Sequence, residues 1–299
     1  MKIAYFGLGK MGKNMVLRLL EQGIEVVAWN RSKEPVVEVV RAGALALDNF
    51  ADLAKFLPER KIVWLMLPAG QVTDQIIAEV SPYLQKGDLL IDGGNAFYKD
   101  SIRRAKELTT KGINFLDIGV SGGPGGARSG ASMMVGGERA DYEALLPVIE
   151  AACAPQAYGY MGKAGAGHFV KMVHNGIEYG MMQAIAEGAA VLEKSEFEPD
   201  LAEVFRVYNN KTVIESRLIN WAREAFAENP TLENISSTIN HTGEGEWTIQ
   251  AAKELGVEVP VIAKSFQVRV DSATESENFR NKVVSVLRSK FGHHKATKD

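Results

Sequence analysis

The chain has 299 residues, 46% of them apolar and 24% charged, with a formal net charge of −3. That length suits one large domain or two of ordinary size, and the near-neutral balance argues against a polyanion partner such as nucleic acid; the basic run His293-His294-Lys295 with Lys298 is too short to serve as a binding arm. One cysteine, Cys153, excludes an intramolecular disulfide and points to a reducing compartment, the opening MKIAYFGLG lacks a cleavage pattern, and no run approaches the roughly 20 apolar residues of a membrane span, so a cytoplasmic protein with no membrane partner is expected.

Lys2 to Phe6 reads as a short buried strand. Gly7-Leu8-Gly9-Lys10-Met11-Gly12 follows and opens an amphipathic segment that ends at Gly23, and EVVAWNRS is a second strand. A glycine turn alone recurs across α/β proteins. Strand, glycine turn, helix and strand within about thirty residues is the unit of a dinucleotide-binding fold. Gly7 permits the tight turn, Gly9 a close approach to a pyrophosphate, and Gly12 close packing of helix on strand. The helix N-terminus offers its unpaired N–H groups to the phosphates.

At the end of the second strand, NAD-type folds commonly carry an acid for the ribose 2′-hydroxyl. Asn30-Arg31-Ser32 stands there instead. No carboxylate repels a 2′-phosphate, and Arg31 can pair with one and stack on adenine. NADP is favoured, with NAD the alternative; beside that reading stands the plain one, in which Arg31 is a solvated turn residue.

Further strands follow as IVWLML, DLLIDGG at 88–94 and NFLDIGVSGG at 114–123, with ASMMVGG and QAYGYMG finishing the sheet. Nearly continuous apolar runs of this kind suit a parallel sheet covered on both faces. Ligands in such folds bind beyond the carboxyl ends of the strands. That sets Leu67-Pro68-Ala69, Gly93-Gly94-Asn95 and Ser121-Gly122-Gly123 around one crevice.

GKAGAG at 162–167 reads as a hinge, and the composition beyond it is helix-forming. One long helix is expected from about His168 to Lys194, then helices over 200–227 and 247–255 and more from 260 onward. The expected fold class is an α/β Rossmann-type domain over 1–162 followed by an all-α domain over 163–299.

In the long helix, Lys171, His174, Asn175 and Glu178 stand at i, i+3, i+4 and i+7, one stripe two turns long. A solvated face would stay polar, yet the stripe continues as Met182, Ile185 and Ala189. The opposite side carries Val173, Ile177, Ala184 and Val191. The helix is therefore expected to be buried nearly all round, with its polarity confined to one patch. Buried ionisable groups are costly unless paired, and they mark functional sites. His168 reads as a helix-start residue, Cys153 and the Met181-Met182 pair as packing, and Trp247 as either a packing anchor or a wall of the site. His168, His174, His241, His293 and His294 form no metal constellation with the carboxylates, so no metal is expected.

GLGKMG, NRS, LPAG, DGGN, GVSGG and KMVHNGIEYG occur in that order. Along its whole length the sequence resembles the decarboxylating 6-phosphogluconate dehydrogenases of the β-hydroxyacid dehydrogenase superfamily, in their short form with a single helical segment. The resemblance implies oxidation of 6-phospho-D-gluconate to ribulose 5-phosphate and CO2 with reduction of NADP+ or NAD+, a step of pentose phosphate or gluconate metabolism. It implies that Ser121, Gly122 and Gly123 hold the substrate's carboxylate end and that Asn95 lies between nicotinamide ribose and substrate. Lys171 would be the general base on the C3 hydroxyl, His174 and Asn175 would bind substrate oxygens, and Glu178 would be the acid. Tyr179 and Arg269 would contact the phosphate. RSKFGHH matches an R-x-x-F-G-x-H tail whose arginine and histidine, here Arg288 and His294, reach a neighbouring subunit, which implies a homodimer or homotetramer.

Two departures stand out. Where the family has G-x-G-[KR]-W-T, GEGEWT puts Glu246 at the cation's place, so either this loop points elsewhere or the phosphate grip relies on Arg269, Arg288 and Tyr179. The Asn-Arg-Ser turn differs from short-form members that carry an acid there and use NAD. The alternative reading is a sister β-hydroxyacid dehydrogenase acting on an unphosphorylated acid such as 3-hydroxyisobutyrate. Such enzymes usually show Asn-Asn where His174-Asn175 stands, and they lack the glutamate at 178 and the tail motif. A catalytically idle NADP-binding protein would need neither the lysine nor the confined polar stripe.

Overall fold

A computed structural model describes residues 1–241, 243–292, 296 and 297. The chain divides into two compact units, Met1–Met172 and Val173–Asp299.

The first unit alternates strand and helix. It runs β1 (Lys2–Phe6), α1 (Lys10–Glu21), β2 (Glu25–Trp29), α2 (Glu34–Arg41), β3 (Leu45–Ala46), α3 (Leu53–Phe56), β4 (Ile62–Leu65), α4 (Gln71–Val80) and β5 (Leu89–Asp92). Then come α5 (Tyr98–Thr110), β6 (Asn114–Ser121), α6 (Gly123–Ser129), β7 (Ala131–Gly137), α7 (Arg139–Ala152) and β8 (Cys153–Gly162). The strands form one 8-stranded sheet in the order β3-β2-β1-β4-β5-β6-β7-β8. Pairing is parallel from β3 to β6, antiparallel between β6 and β7, and parallel again between β7 and β8.

The apolar runs explain the two-sided burial. Ile3 and Tyr5 of β1 pack into one layer with Met15, Val16 and Leu19 of α1, whereas Ala4 and Phe6 face the other layer with Val63 and Leu65. A strand covered on both faces needs no polar alternation. Chain order reverses direction at β1, which lies between β2 and β4; ligands of doubly wound sheets bind at that point.

Two elements carry no sequence signal. Strand β3 is two exposed residues long. Helix α6 is GPGGARS, a composition that opposes helix; Gly122 enters it with φ +119 and Pro124 sits in its first turn, where a missing N–H costs nothing.

Helix α8 (Ala166–Glu193) starts in the first unit and continues into the second, followed by α9 (Leu201–Tyr208), α10 (Arg217–Glu228), α11 (Glu244–Glu254), α12 (Pro260–Asp271) and α13 (Phe279–Gly292). Met182, Ala186, Phe205, Phe226, Val283 and Leu287 are among the core residues of the second unit. The stretch expected to be helical over 200–227 holds two helices, α9 and α10. Lys211 takes a left-handed φ of 58°, and Ser216 then caps α10 by accepting the Ile219 N–H at 3.2 Å.

The fold class is the expected one, but the expectation that the long helix is buried nearly all round is corrected. Ile177, Met181 and Val191 are 54%, 42% and 72% exposed, while Lys171 and Asn175 are 8% and 9% and Met182 and Ala189 are 0%. Within the polar patch Lys171 and Asn175 are buried and His174 and Glu178 half-buried, whereas Ile177, Met181 and Val191 make the outward side apolar. Of the methionine pair, Met182 is core and Met181 is not. Periodicity could not decide this, because both faces beyond the patch are apolar and carry the same pattern.

Candidate active site

The glycine turn after β1 is held by backbone. A Cβ on Gly7 would stand 2.2 Å from the Met66 carbonyl oxygen, and one on Gly12 would stand 1.9 Å from that of Gly7. Gly9 differs: nothing lies within 4 Å of where its Cβ would be, and its φ is −67°. The protein itself does not require glycine there. Gly9 is also the N-cap of α1 without a side-chain cap bond, so the helix's first N–H groups have no capping oxygen from it. Open space over bare backbone at a helix start fits a pyrophosphate.

The neighbouring rim segments join this turn. The Met66 N–H donates to Phe6 O at 2.8 Å and the Gly93 N–H to Leu65 O at 2.8 Å. Asp92, fully buried, accepts the Gly94 N–H at 3.1 Å and Arg104 Nη1 at 2.8 Å, which fixes the Gly93-Gly94 bend. Asn95, Pro68 and Ala69 are exposed and Leu67 half-buried. Asn30 Oδ1 accepts the Leu8 N–H at 2.9 Å, and its Nδ2 donates to Ser32 O at 3.0 Å, tying the Asn30-Arg31-Ser32 turn to the glycine loop. Arg31 itself is exposed. Ser121, Gly122 and Gly123 lie half-buried at the end of β6, beside α1 through the bond from Asn14 Nδ2 to Pro124 O at 3.2 Å.

Lys171 projects from the first turns of α8, whose start is docked on β6. Asp117 of β6, fully buried, accepts the Gly165 N–H at 2.6 Å and the His168 N–H at 2.8 Å. His168, 1% exposed, is a helix-start residue as expected, with Nδ1 2.7 Å from Ser101 Oγ.

The second unit gathers a separate charged cluster. His174 Nδ1 is 3.0 Å from Asn175 Oδ1 and 3.9 Å from Glu178 Oε2. Tyr179, Arg269, Arg288 and Glu244 are 5%, 3%, 6% and 5% exposed. The Arg269 guanidinium carbon sits 3.3 Å from the centre of the Tyr179 ring, and its Nη2 is buried with no hydrogen-bond partner. Burial pulls the Arg269 cation down to about 10, assisted by the like charge of Arg288; burial also lowers Arg288 and raises the Tyr179 phenol. Two desolvated cations with an unused N–H form a receptor for an anion. Helix α11 closes on this cluster: a Cβ at Gly245 would stand 2.6 Å from Tyr179 Cε2, and one at Gly176 would stand 2.8 Å from Thr248 Cγ2.

Residues 2–162 match the NAD binding domain of 6-phosphogluconate dehydrogenase, and residues 167–299 match its C-terminal domain. The chain belongs to the 6-phosphogluconate dehydrogenase family. It is 42% identical over 298 residues to YqeC of Bacillus subtilis, covering 100% of each. It is 40% identical over 300 residues to the NAD(+)-dependent, decarboxylating 6-phosphogluconate dehydrogenase of Haloferax volcanii, covering 100% of this chain and 99% of that one. Among solved structures, 6-phosphogluconate dehydrogenase of Plasmodium falciparum, described with NADP+ and with 6-phosphogluconate, superimposes with a TM-score of 0.84 at 29% identity, covering 97% of this chain and 70% of that one.

Against the family's GxG[KR]WT pattern, Glu246 is exposed and Glu244 is the buried carboxylate beside the arginines. Arg288 lies within its own chain's cluster, and His294 falls outside the described residues. Asp117 and Glu244 escaped the sequence reading. A lone carboxylate inside NFLDIGVS was a usable signal for Asp117; nothing in GEGEWT separates Glu244 from Glu246. Among the described residues no group of three or more His, Cys, Asp or Glu could hold a metal ion, and no helix is long and apolar enough to cross a membrane.

Proposed function

We propose that the protein oxidises and decarboxylates 6-phospho-D-gluconate to ribulose 5-phosphate and CO2, reducing NADP+ in preference to NAD+. The observation that carries this reading is the inverted burial of α8: Lys171 and Asn175 are 8% and 9% exposed, while Ile177 on the apolar face is 54% exposed. A chain does not shelter an amine and an amide and leave isoleucine in water unless the sheltered groups have a task.

The cofactor would be held by Gly7 to Gly12, Asn30 to Ser32, Leu67 to Ala69 and Asn95. When bound it supplies an acceptor for the hydride from C3. Lys171 takes the C3 hydroxyl proton, a step that requires the amine in its neutral form. The resulting ammonium then faces the charge that develops as CO2 leaves. His174 and Asn175 orient substrate oxygens, Ser121, Gly122 and Gly123 hold the carboxylate end, and Glu178 returns the final proton. Tyr179, Arg269 and Arg288 grip the phosphate. Lys171→Met should abolish turnover and leave NADPH affinity unchanged; near-normal turnover refutes the assignment of the base. Arg31→Ala should cut the NADP+ over NAD+ ratio of kcat/KM at least tenfold, about 1.4 kcal/mol, and an unchanged ratio returns Arg31 to a plain turn residue.

The reading includes a division into a cofactor domain over 1–162 and a helical domain over 163–299, a homodimer or homotetramer, and a cytoplasmic setting in keeping with the single, buried Cys153.

One observation favours a second reading. Glu244 already offers a buried carboxylate to Arg269 and Arg288, which would suit an unphosphorylated hydroxy acid. Turnover of 6-phosphogluconate measured against 3-hydroxyisobutyrate separates the two.

A further inference from the structure

The start of α8 approaches the sheet more closely than any side chain would permit. A Cβ at Gly119, on β6, would stand 2.3 Å from Lys171 Cβ, 3.0 Å from Lys171 Cγ and 2.9 Å from Gly167 O. One at Gly167 would meet Asp117 O at 2.4 Å and Met134 O at 2.5 Å, and one at Gly136 would meet the Gly167 nitrogen at 2.6 Å. None of the three glycines has positive φ. Their backbone conformation suits any residue, so space alone calls for glycine. Asp117 fixes the same turn along its axis by accepting the N–H groups of Gly165 and His168.

We propose that Gly119 is a positioning residue for Lys171. The bare stretch of β6 receives the first two carbons of the lysine stem, so the sheet, rather than a free rotamer, sets the direction in which the amine leaves the helix. Ordinary van der Waals contact begins at 3.4 Å. A methyl at 119 therefore drives Lys171 off the strand by about 1 Å, a displacement that in an active site costs on the order of 10²-fold in rate. The contact also keeps the stem dry, which a neutral amine requires. The inference rests on Lys171 being the base.

The test compares Gly119→Ala, Lys171→Met and the control Gly188→Ala, where nothing lies within 4 Å of the new methyl. The readouts are NADPH affinity, kcat and KM for 6-phosphogluconate, and the pH profile of kcat. Gly119→Ala should lower kcat about 10²-fold, leave NADPH affinity unchanged and move the acid limb of the profile, while Gly188→Ala changes none of these. A folded Gly119→Ala with wild-type kcat and an unmoved acid limb, beside an inactive Lys171→Met, overturns the positioning role and spares the base. An active Lys171→Met removes the base and the inference with it. Should Gly119→Ala fail to fold, Gly119→Ala/Lys171→Gly decides: recovery of a cooperative melt supports the lysine stem as the group that glycine accommodates, and no recovery assigns the requirement for glycine to the Gly167 carbonyl, 2.9 Å from the same methyl, and overturns the positioning role.

Discussion

Replacing Arg269 by methionine should stabilise the empty protein while crippling it. The side chain is 3% exposed, one of its nitrogens has no partner, and burial draws its pKa from 12.5 to about 10. At roughly 1.4 kcal/mol per unit, holding the cation there costs the folded state about 3 kcal/mol. Stacking on Tyr179 at 3.3 Å returns part of this, about 2 kcal/mol for a desolvated pair. Methionine fills the space and keeps a favourable sulfur contact with the ring, and Arg288 remains to balance Glu178 and Glu244. Arg269→Met should therefore gain about 1 kcal/mol, a rise in Tm of about 2 °C. Loss of a charge-assisted bond, about 1.5–3 kcal/mol, should weaken 6-phosphogluconate binding by about tenfold to a hundredfold. Scanning calorimetry of the ligand-free protein and titration calorimetry with substrate read the two effects. A fall of several degrees in Tm would refute the claim that this arginine is held against its own solvation.

The glycine loop should separate folding from binding. Gly12→Ala forces a methyl to 1.9 Å from Gly7 O and should cost about 1–3 kcal/mol of stability, whereas Gly9→Ala meets only open space and should leave Tm unchanged while weakening NADPH binding. Asp88→Ala strands the buried Lys61, now 3.2 Å from the carboxylate, and should lower stability by about 3–5 kcal/mol in chemical denaturation; a loss below 1 kcal/mol would show that water reaches the ammonium. Cys153 is buried and desolvation pushes its thiol up to about 12. Iodoacetamide at pH 8 should leave it unmodified until denaturant is added. Because the folded value is the higher one, this thiol's contribution to stability is intact below about 9 and falls away as pH rises from there toward 12.

The sheet was legible because β1 is apolar after Lys2, β4 is apolar throughout, β5 is apolar up to Asp92 and β6 is interrupted internally only by Asp117, each run leading into a glycine-containing segment that turns. Helix α6 and strand β3 were not, since one is built from residues that disfavour helix and the other is too short to carry a period. The long helix was legible in extent but not in orientation. Its apolar residues surround the polar patch on every side, and only tertiary packing decides that Ile177 faces out and Lys171 in. Glu244 stayed hidden for a related reason: two glutamates two positions apart point to different sides of a helix start, and nothing in their chemistry says which one the arginines receive.

The clamp made by Asp117 has a consequence for how the chain acquires its register. Gly165, at the threshold of α8, brings no side-chain oxygen, and the side-chain acceptor for the N–H groups at this start comes from a strand 48 residues earlier. A peptide cut from this helix has no marker for where to begin winding and would fray at that end. The azimuth of every later side chain, Lys171 included, is therefore decided only after β6 has found its partners, so slow maturation of the sheet should delay competence even in molecules whose helices have already formed.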